Sequence, residues 1–163
     1  MTPRRPLPSE HAALARLWHE GWHEAHAAHV PAALTRLRTL ADFQRRVPDM
    51  PGLRTIGAEG APLGLCSVRG SEMHQLFVAP AARGTGAASA LIVDAEARIA
   101  EAHERAWLDC VIENARARAF YERMGWLLAR IGTEAIDTSE GPFPLRVAVY
   151  EKVVRPSSAF TMP

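Results

Sequence analysis

From Pro8 to Pro48 the apolar residues recur at helical spacing. Ser9 offers a cap ahead of Ala12, Ala13, Leu14, Leu17 and Trp18, which predicts a first helix to about Gly21, with extension to Ala28 open. Pro31 suits the first turn of a second helix carrying Leu34, Leu37, Leu40 and Phe43 on one side, stopped by Pro48 and Pro51-Gly52. The period then shortens. Leu53 to Glu59, Leu63 to Arg69 and Glu72 to Val78 read as strands of an antiparallel meander, separated by Gly60-Ala61-Pro62 and Gly70-Ser71. Helical spacing returns from Gly84 to Glu101 with Leu91, Ile92, Ala95 and Ile99. A buried strand follows at Ala106 to Ile112, then a helix from Asn114 to Met124, capped by Asn114 and ended by Gly125. Strand, helix, strand, helix in that order implies a right-handed parallel crossover. Two strands, about Trp126 to Ile136 and Phe143 to Val154, joined by a loop rich in Ser, Gly and Pro, close the sheet.

The chain's 163 residues suit one domain with a single sizeable core. Residues 1–155 are expected to form it, and 156–163 a loose tail. The formal charge of +1 lacks the basic excess that phosphate-backbone binding requires, so no nucleic-acid partner is expected. Neither a membrane partner nor export is expected, because MTPRRPLPSEH is followed by no apolar run and no stretch approaches the roughly 18 residues of a membrane helix. Cys66 and Cys110 lie in apolar stretches without a Cys-x-x-Cys pattern, which suggests two reduced core thiols and a cytoplasmic location.

Candidate chemistry concentrates in LFVAPAARGTGAASALI, Leu76 to Ile92. An apolar strand, a Pro-containing loop, two glycines and a helix start in succession suit an anion cradle. Glycines let backbone N–H groups approach a phosphate, and the helix N-terminus favours its charge. The dinucleotide fingerprint lacks its third glycine here, and no Lys-Ser or Lys-Thr follows Gly86 to make a P-loop.

VAPAARGTGAASALI resembles the acyl-CoA-binding motif of the GCN5-related N-acetyltransferases, the GNAT superfamily, with Arg83, Gly86 and Ala88 in the motif positions. Ala87-Ala88 replace the commoner Ile-Gly. NARARAFYERMGW, Asn114 to Trp126, resembles the second family signature and stands at the right distance. The resemblance implies an acetyl-CoA cosubstrate and acetyl transfer to a primary amine in a ternary complex. It places the pyrophosphate on Arg83, Gly84, Thr85, Gly86, Ala87 and Ala88, and the pantetheine arm along Leu76, Phe77 and Val78, with Asn114 bonding it. Tyr121, two helical turns beyond Asn114 and on the same face, takes the role of acid to the departing thiolate. A backbone N–H of Phe77 or Val78 polarises the thioester carbonyl.

An amine must lose its proton before it attacks, because an ammonium has no lone pair. Glu72 and His74 stand two residues apart on the strand entering the cradle, so alternation puts both on one face with Leu76. Either one, acting through water or directly, serves as base. Cys110 has no neighbouring base that would make it a nucleophile. Trp18, Trp22, His23, His26 and Phe143 are expected to line an aromatic acceptor pocket, helped by the Thr138 to Pro144 loop. A small amine, an aminoglycoside-like drug, a peptide terminus and a lysine side chain fit that pocket equally. The resemblance leaves a homodimer open.

His19-Glu20-Gly21-Trp22-His23 is also a literal HExxH, with His29 at a third-histidine spacing, and would suit a zinc hydrolase if its histidines met a metal. Gly21 weakens a helix there, and His26 occupies the position of the glycine that turns the metzincin chain. No metal is therefore expected. A non-catalytic acyl-CoA-binding protein of the same fold is the other alternative. The fold expected is α/β (α+β): a mixed, mostly antiparallel sheet of about seven strands with a splayed central parallel pair, flanked by about four helices.

Overall fold

The structure is a computed structural model, and it describes residues 1–157. The expected tail at 156–163 falls almost wholly outside the described residues. Among them are five α-helices and a six-stranded sheet. The helices are α1 (His11–His26), α2 (Ala32–Leu37), α3 (Leu40–Arg46), α4 (Ala87–Ala100) and α5 (Ala115–Arg123). The strands are β1 (Arg54–Ile56), β2 (Gly64–Arg69), β3 (Glu72–Val78), β4 (Arg105–Val111), β5 (Leu127–Thr138) and β6 (Gly141–Val153), in the order β1-β2-β3-β4-β6-β5. The sheet is mixed and mostly antiparallel, and only β3 and β4 run parallel.

Three expectations are corrected. The sheet has six strands and not seven, because the segment before α1 makes only an isolated bridge between Arg4 and Thr55. The second helix is two, since Thr39 is extended and its hydroxyl accepts from the Asp42 N–H at 3.1 Å, capping a new helix at Leu40. The expected Thr138–Pro144 loop is instead the tip of a long hairpin, with Phe143 paired to Ile136 inside it.

Helices cover both faces. Leu91, Ile92, Ala95 and Ile99 of α4 pack with Tyr121 of α5 on Met73, Leu108, Cys110 and Tyr150. On the opposite face Leu14, Trp18 and Trp22, one turn apart along α1, pack with Leu34, Phe43 and Leu65. Two glycines set this geometry. Gly86 (φ 86°) is left-handed, so α4 starts only at Ala87. A Cβ on Gly21 would stand 2.8 Å from Cδ1 of Phe77, so glycine is what lets α1 lie directly on β3.

Candidate active site

A gap opens in the middle of the sheet. The parallel pairing of β3 with β4 is confined to Glu72 and Trp107, and past it the two strands diverge. The Ala79 N–H donates to Leu63 O at 2.8 Å. Antiparallel alternation then turns Phe77 N–H toward its partner Leu65 on β2, and turns the N–H groups of Leu76 and Val78 into the gap. Of the two expected carbonyl-polarising donors, only Val78 faces it.

Beyond the gap lies a cleft of about 390 Å³. Leu76, Phe77, Val78, Arg83, Gly84, Gly86, Ala87, Ala88, Asn114 and Tyr121 all line it, as the sequence leads one to expect. Thr85 does not, because its hydroxyl turns back to donate to Ala82 O at 2.5 Å. Among the described residues, the N–H groups of Gly84, Gly86, Ala87, Ala88 and Ser89 have no partner in the protein. Three are the free donors of a helix's first turn, and the two glycines extend the row. Arg83, Arg116 and Arg123 also line the cleft, and no carboxylate does. Glu24 of α1 sits at the rim, 2.7 Å from Arg83 Nη2 and 3.5 Å from Arg116 Nη1. This is the lining a polyanion with an apolar arm requires, so the donors present fit a coenzyme A pyrophosphate.

Asn114 Oδ1 caps α5 by accepting from Ala117 N–H at 3.3 Å, which leaves its amide NH₂ without a partner in the protein. Tyr121 is buried against Phe120, Trp126 and Tyr150, and its hydroxyl has no hydrogen-bond partner among the described residues. Burial pushes its pKa well above the usual phenol value, with Cys110 adding to the effect, so it holds its proton. Burial also pushes the Cys110 thiol up to about 12, too weak an acid to act as a nucleophile near neutrality.

On the α1 face of the gap is a smaller cavity of about 90 Å³. Trp18, Trp22 and His26 line it with His74, Asp109 and Arg38. His23 does not reach it. Its Nε2 lies 2.6 Å from the carbonyl oxygen of Arg38. Phe143 packs on the neighbouring core, and Ile136 and Leu145 of the hairpin take the wall expected of it. Gly21 and Ala25 of α1 line the large cleft, so this helix forms the partition between the two spaces.

One expectation about β3 fails. Ser67 pairs with Gln75 and Val68 with Met73, so His74 is the extra residue of a β-bulge. The bulge breaks the alternation: Leu76 packs in the α4 core, opposite the cavity that His74 lines. Glu72 lines neither space. It accepts from Arg69 Nε and Nη2 at 3.1 and 2.9 Å, and its Oε1 lies 3.2 Å from His74 Nδ1. Burial raises its pKa, but the bonds from His74 and Arg69 outweigh burial and leave it below the usual carboxylate value. An ionised carboxylate only accepts, so Nδ1 is the nitrogen that carries hydrogen toward Glu72, and Nε2 is left on the other side of the ring.

Sequence reasoning missed Asp109. It lies on β4 in the same cavity, and burial, reinforced by the nearby Glu72 charge, raises its pKa to about 6. The signal was available, since Asp109 is a lone acid inside the apolar run Ala106 to Ile112. The HEGWH segment forms no metal centre. Among the described residues no three His, Cys, Asp or Glu side chains are grouped to hold an ion. Helix α1 runs on through Gly21 to His26, so the third histidine never returns to the first two.

A mixed sheet splayed at its one parallel pair, with a row of free N–H donors at the mouth of the gap, is an acyltransferase architecture. It recurs in a GCN5-related N-acetyltransferase of Rhodopseudomonas palustris, similar at 21% identity over 94% of this chain and 96% of that one, with a TM-score of 0.71. The yncA protein of Salmonella typhimurium, solved with its cofactor acetyl-CoA, is 15% identical over 100% and 99% of the two chains, with a TM-score of 0.64. A Thermoplasma acidophilum paia N-acetyltransferase in complex with coenzyme A is 15% identical over 94% and 99%, with a TM-score of 0.61. No curated protein matches this sequence. The chain belongs to the acetyltransferase (GNAT) family, whose model matches residues 15–126. Among the described residues no helix is long and apolar enough to cross a membrane.

Proposed function

We propose that residues 1–155 form a single catalytic domain that transfers an acetyl group from acetyl-CoA to a primary amine in a ternary complex. The observation that carries this reading is the set of N–H groups of Gly84, Gly86, Ala87, Ala88 and Ser89, unpartnered among the described residues and opening onto the gap between β3 and β4. The two solved relatives holding acetyl-CoA and coenzyme A support the choice of cosubstrate. Acetyl-CoA brings an activated thioester, and transfer forms the acetyl C–N bond as the C–S bond breaks.

This chain's residues then divide the work across the gap. Asp109 receives the acceptor's ammonium in the small cavity. His74, oriented by Glu72 through Nδ1, takes the proton from nitrogen at Nε2. Glu72 is thereby a positioning residue. The N–H of Val78, which faces the gap, would donate to the thioester carbonyl oxygen, and the Tyr121 hydroxyl, which lines the cleft, would give its proton to the departing sulfur.

Calorimetric titration with acetyl-CoA followed by amine-dependent thiol release tests this. Binding at micromolar Kd is expected, and Tyr121→Phe should lower kcat about 100-fold without moving Kd. Binding without thiol release from any amine would support a non-catalytic coenzyme-binding protein instead. An unchanged kcat in Tyr121→Phe at every pH would remove the acid role.

A further inference from the structure

Three residues lining the small cavity, Trp18, His26 and Arg38, each carry a buried polar atom without a partner among the described residues: Nε1, Nδ1 and Nε respectively. Native interiors leave few such atoms, because each costs about 1–3 kcal/mol of lost hydration. Three around one space of about 90 Å³ mark a place where a polar ligand completes the structure.

The charges of the cavity say which ligand. Its helical wall is basic. Arg38, only 3% exposed, and Arg46 share the Asp42 carboxylate with Arg45. Arg45, which does not line the cavity, holds the short bond of 2.6 Å, whereas Arg38 and Arg46 each stand 3.4 Å away. One carboxylate therefore serves three guanidinium groups, and the two facing the cavity are the poorly paired ones. Arg38 otherwise gives Nη2 to the Asp137 carbonyl, and Arg46 stacks 4.5 Å above the Trp18 ring. Burial lowers the pKa of both arginines below the ordinary guanidinium value, and the Asp42 and Asp137 carboxylates only partly offset it. The strand wall is the opposite, with the carboxylate of Asp109 beside His74.

We propose that the acceptor is a small zwitterion, an amino-acid-like amine whose carboxylate seats on Arg38 and Arg46 while its nitrogen faces Asp109 and His74. This rests on the acetyl-transfer reading and specifies its substrate class. A carboxylate on the basic wall uses the free Arg38 and Trp18 donors, which a neutral amine or a polyamine leaves orphaned. Size restricts the class further. The cavity is about three times the volume share of a liquid water, about 30 Å³, which suits an amino-acid head with a short apolar side chain against Leu34 and Ile136.

The experiment uses the intact protein with acetyl-CoA and reads thiol release from matched sets: glycine, L-alanine and L-valine, their carboxamides, and methylamine, ethylamine and isobutylamine. The acids should exceed amides and plain amines by about 100-fold in kcat/KM, as expected for a buried charge pair. Arg38→Gln should lower kcat/KM for the acids about 100-fold more than for the amides and so close the gap between the two sets, a split that general loosening of the fold does not produce. Should that buried variant not fold, Arg46→Gln is expected to lower the acid preference about 10-fold, the effect of one weaker charge contact. Amides or plain amines used as well as the acids overturn the proposal and leave acetyl transfer standing. Thiol release from none of the set, with acetyl-CoA binding intact, overturns it too. Failure to bind acetyl-CoA in calorimetry removes the parent reading itself.

Discussion

The two spaces on either side of α1 are built from different materials. The large cleft presents backbone: its donors are the N–H groups of Gly84, Gly86 and the first turn of α4, contributed by one continuous segment. The small cavity presents side chains. Trp18 and His26 come from α1, Arg38 from the end of α2, His74 and Asp109 from neighbouring strands, and Leu145 from the hairpin. On the proposed reading the coenzyme would be held by atoms every residue possesses, and the acceptor by atoms that any substitution alters. The first site tolerates sequence change but not conformational change. The second is the reverse.

The largest expected effect separates these two tolerances. Gly86→Trp puts a bulky residue at φ 86° with open space before it, so its ring fills the cradle. Acetyl-CoA affinity should fall more than about 100-fold in calorimetry, while the left-handed backbone costs only about 1–2 kcal/mol of stability. Ser89→Ala, which keeps the N–H, should change Kd by less than about 3-fold, the size of a weak surface contact. Equal losses in the two variants would show that side chains, and not backbone, hold the anion.

Across the partition, Asp109→Asn should damage activity and improve stability. The folded pKa of about 6 lies above the ordinary value of 3.8, so the native state holds this proton more tightly than the unfolded one. Its contribution to stability is complete below the unfolded value, is lost as pH rises through about 6, and leaves a destabilising charge at pH 8. The variant should be more stable than the parent at pH 8, by up to about 3 kcal/mol, and show no gain at pH 4. Amine turnover should drop about 10- to 100-fold, as for other groups that hold or move a reacting proton. Denaturant melts at the two pH values check the stability change, and an equal gain at both would refute the buried-charge account.

This contrast also explains what was legible in the sequence. Gly84 and Gly86 advertise left-handed turns before a helix, and of the expected segment Leu76, Phe77, Val78, Arg83, Gly84, Gly86, Ala87 and Ala88 line one cleft while Thr85 does not. The small cavity depends on details that no period reports. A single bulge at His74 moves Leu76 to the other face, and Thr39 breaks one expected helix in two, which leaves Arg38 in the bend. Asp109 was passed over because its strand reads as core, and its neighbours Leu108 and Cys110 are core. Gly141, Pro142 and Pro144 signal a loop that overlaps the strand expected from Phe143, yet prolines are tolerated on a hairpin's non-bonded positions and both lie in β6.

A smaller effect tests the partition itself. Gly21→Ala gains about 1 kcal/mol of helix propensity, but its Cβ would stand 2.8 Å from the Phe77 ring. Overpacking costs about 1–3 kcal/mol, so a net destabilisation of about 1 kcal/mol is expected in denaturant melts. A stabilised variant would show that α1 moves away from β3 easily.

The smallest effect concerns the ion pairs at the rim of the cleft. Glu24 bridges Arg83 and Arg116, the two cations nearest the rim, and its bond from Arg83 holds its carboxylate below the usual pKa. It is therefore ionised throughout the neutral range and competes with any phosphate for both guanidinium groups. All three side chains are exposed, so each ion pair is worth only a few tenths of a kcal/mol to about 1. Glu24→Gln should tighten acetyl-CoA binding about 2- to 5-fold at low salt, and the difference should vanish near 0.5 M salt as screening removes both interactions (~4 Å Debye length). Weaker binding in this variant would mean that Glu24 aims the arginines instead of occupying them. Backbone donors permit no such substitution, because no side chain reaches the N–H groups of Gly84 and Gly86. Side-chain charge therefore tunes the anion end of this cleft from its rim, whereas a bulky residue at Gly86 can only fill the cradle.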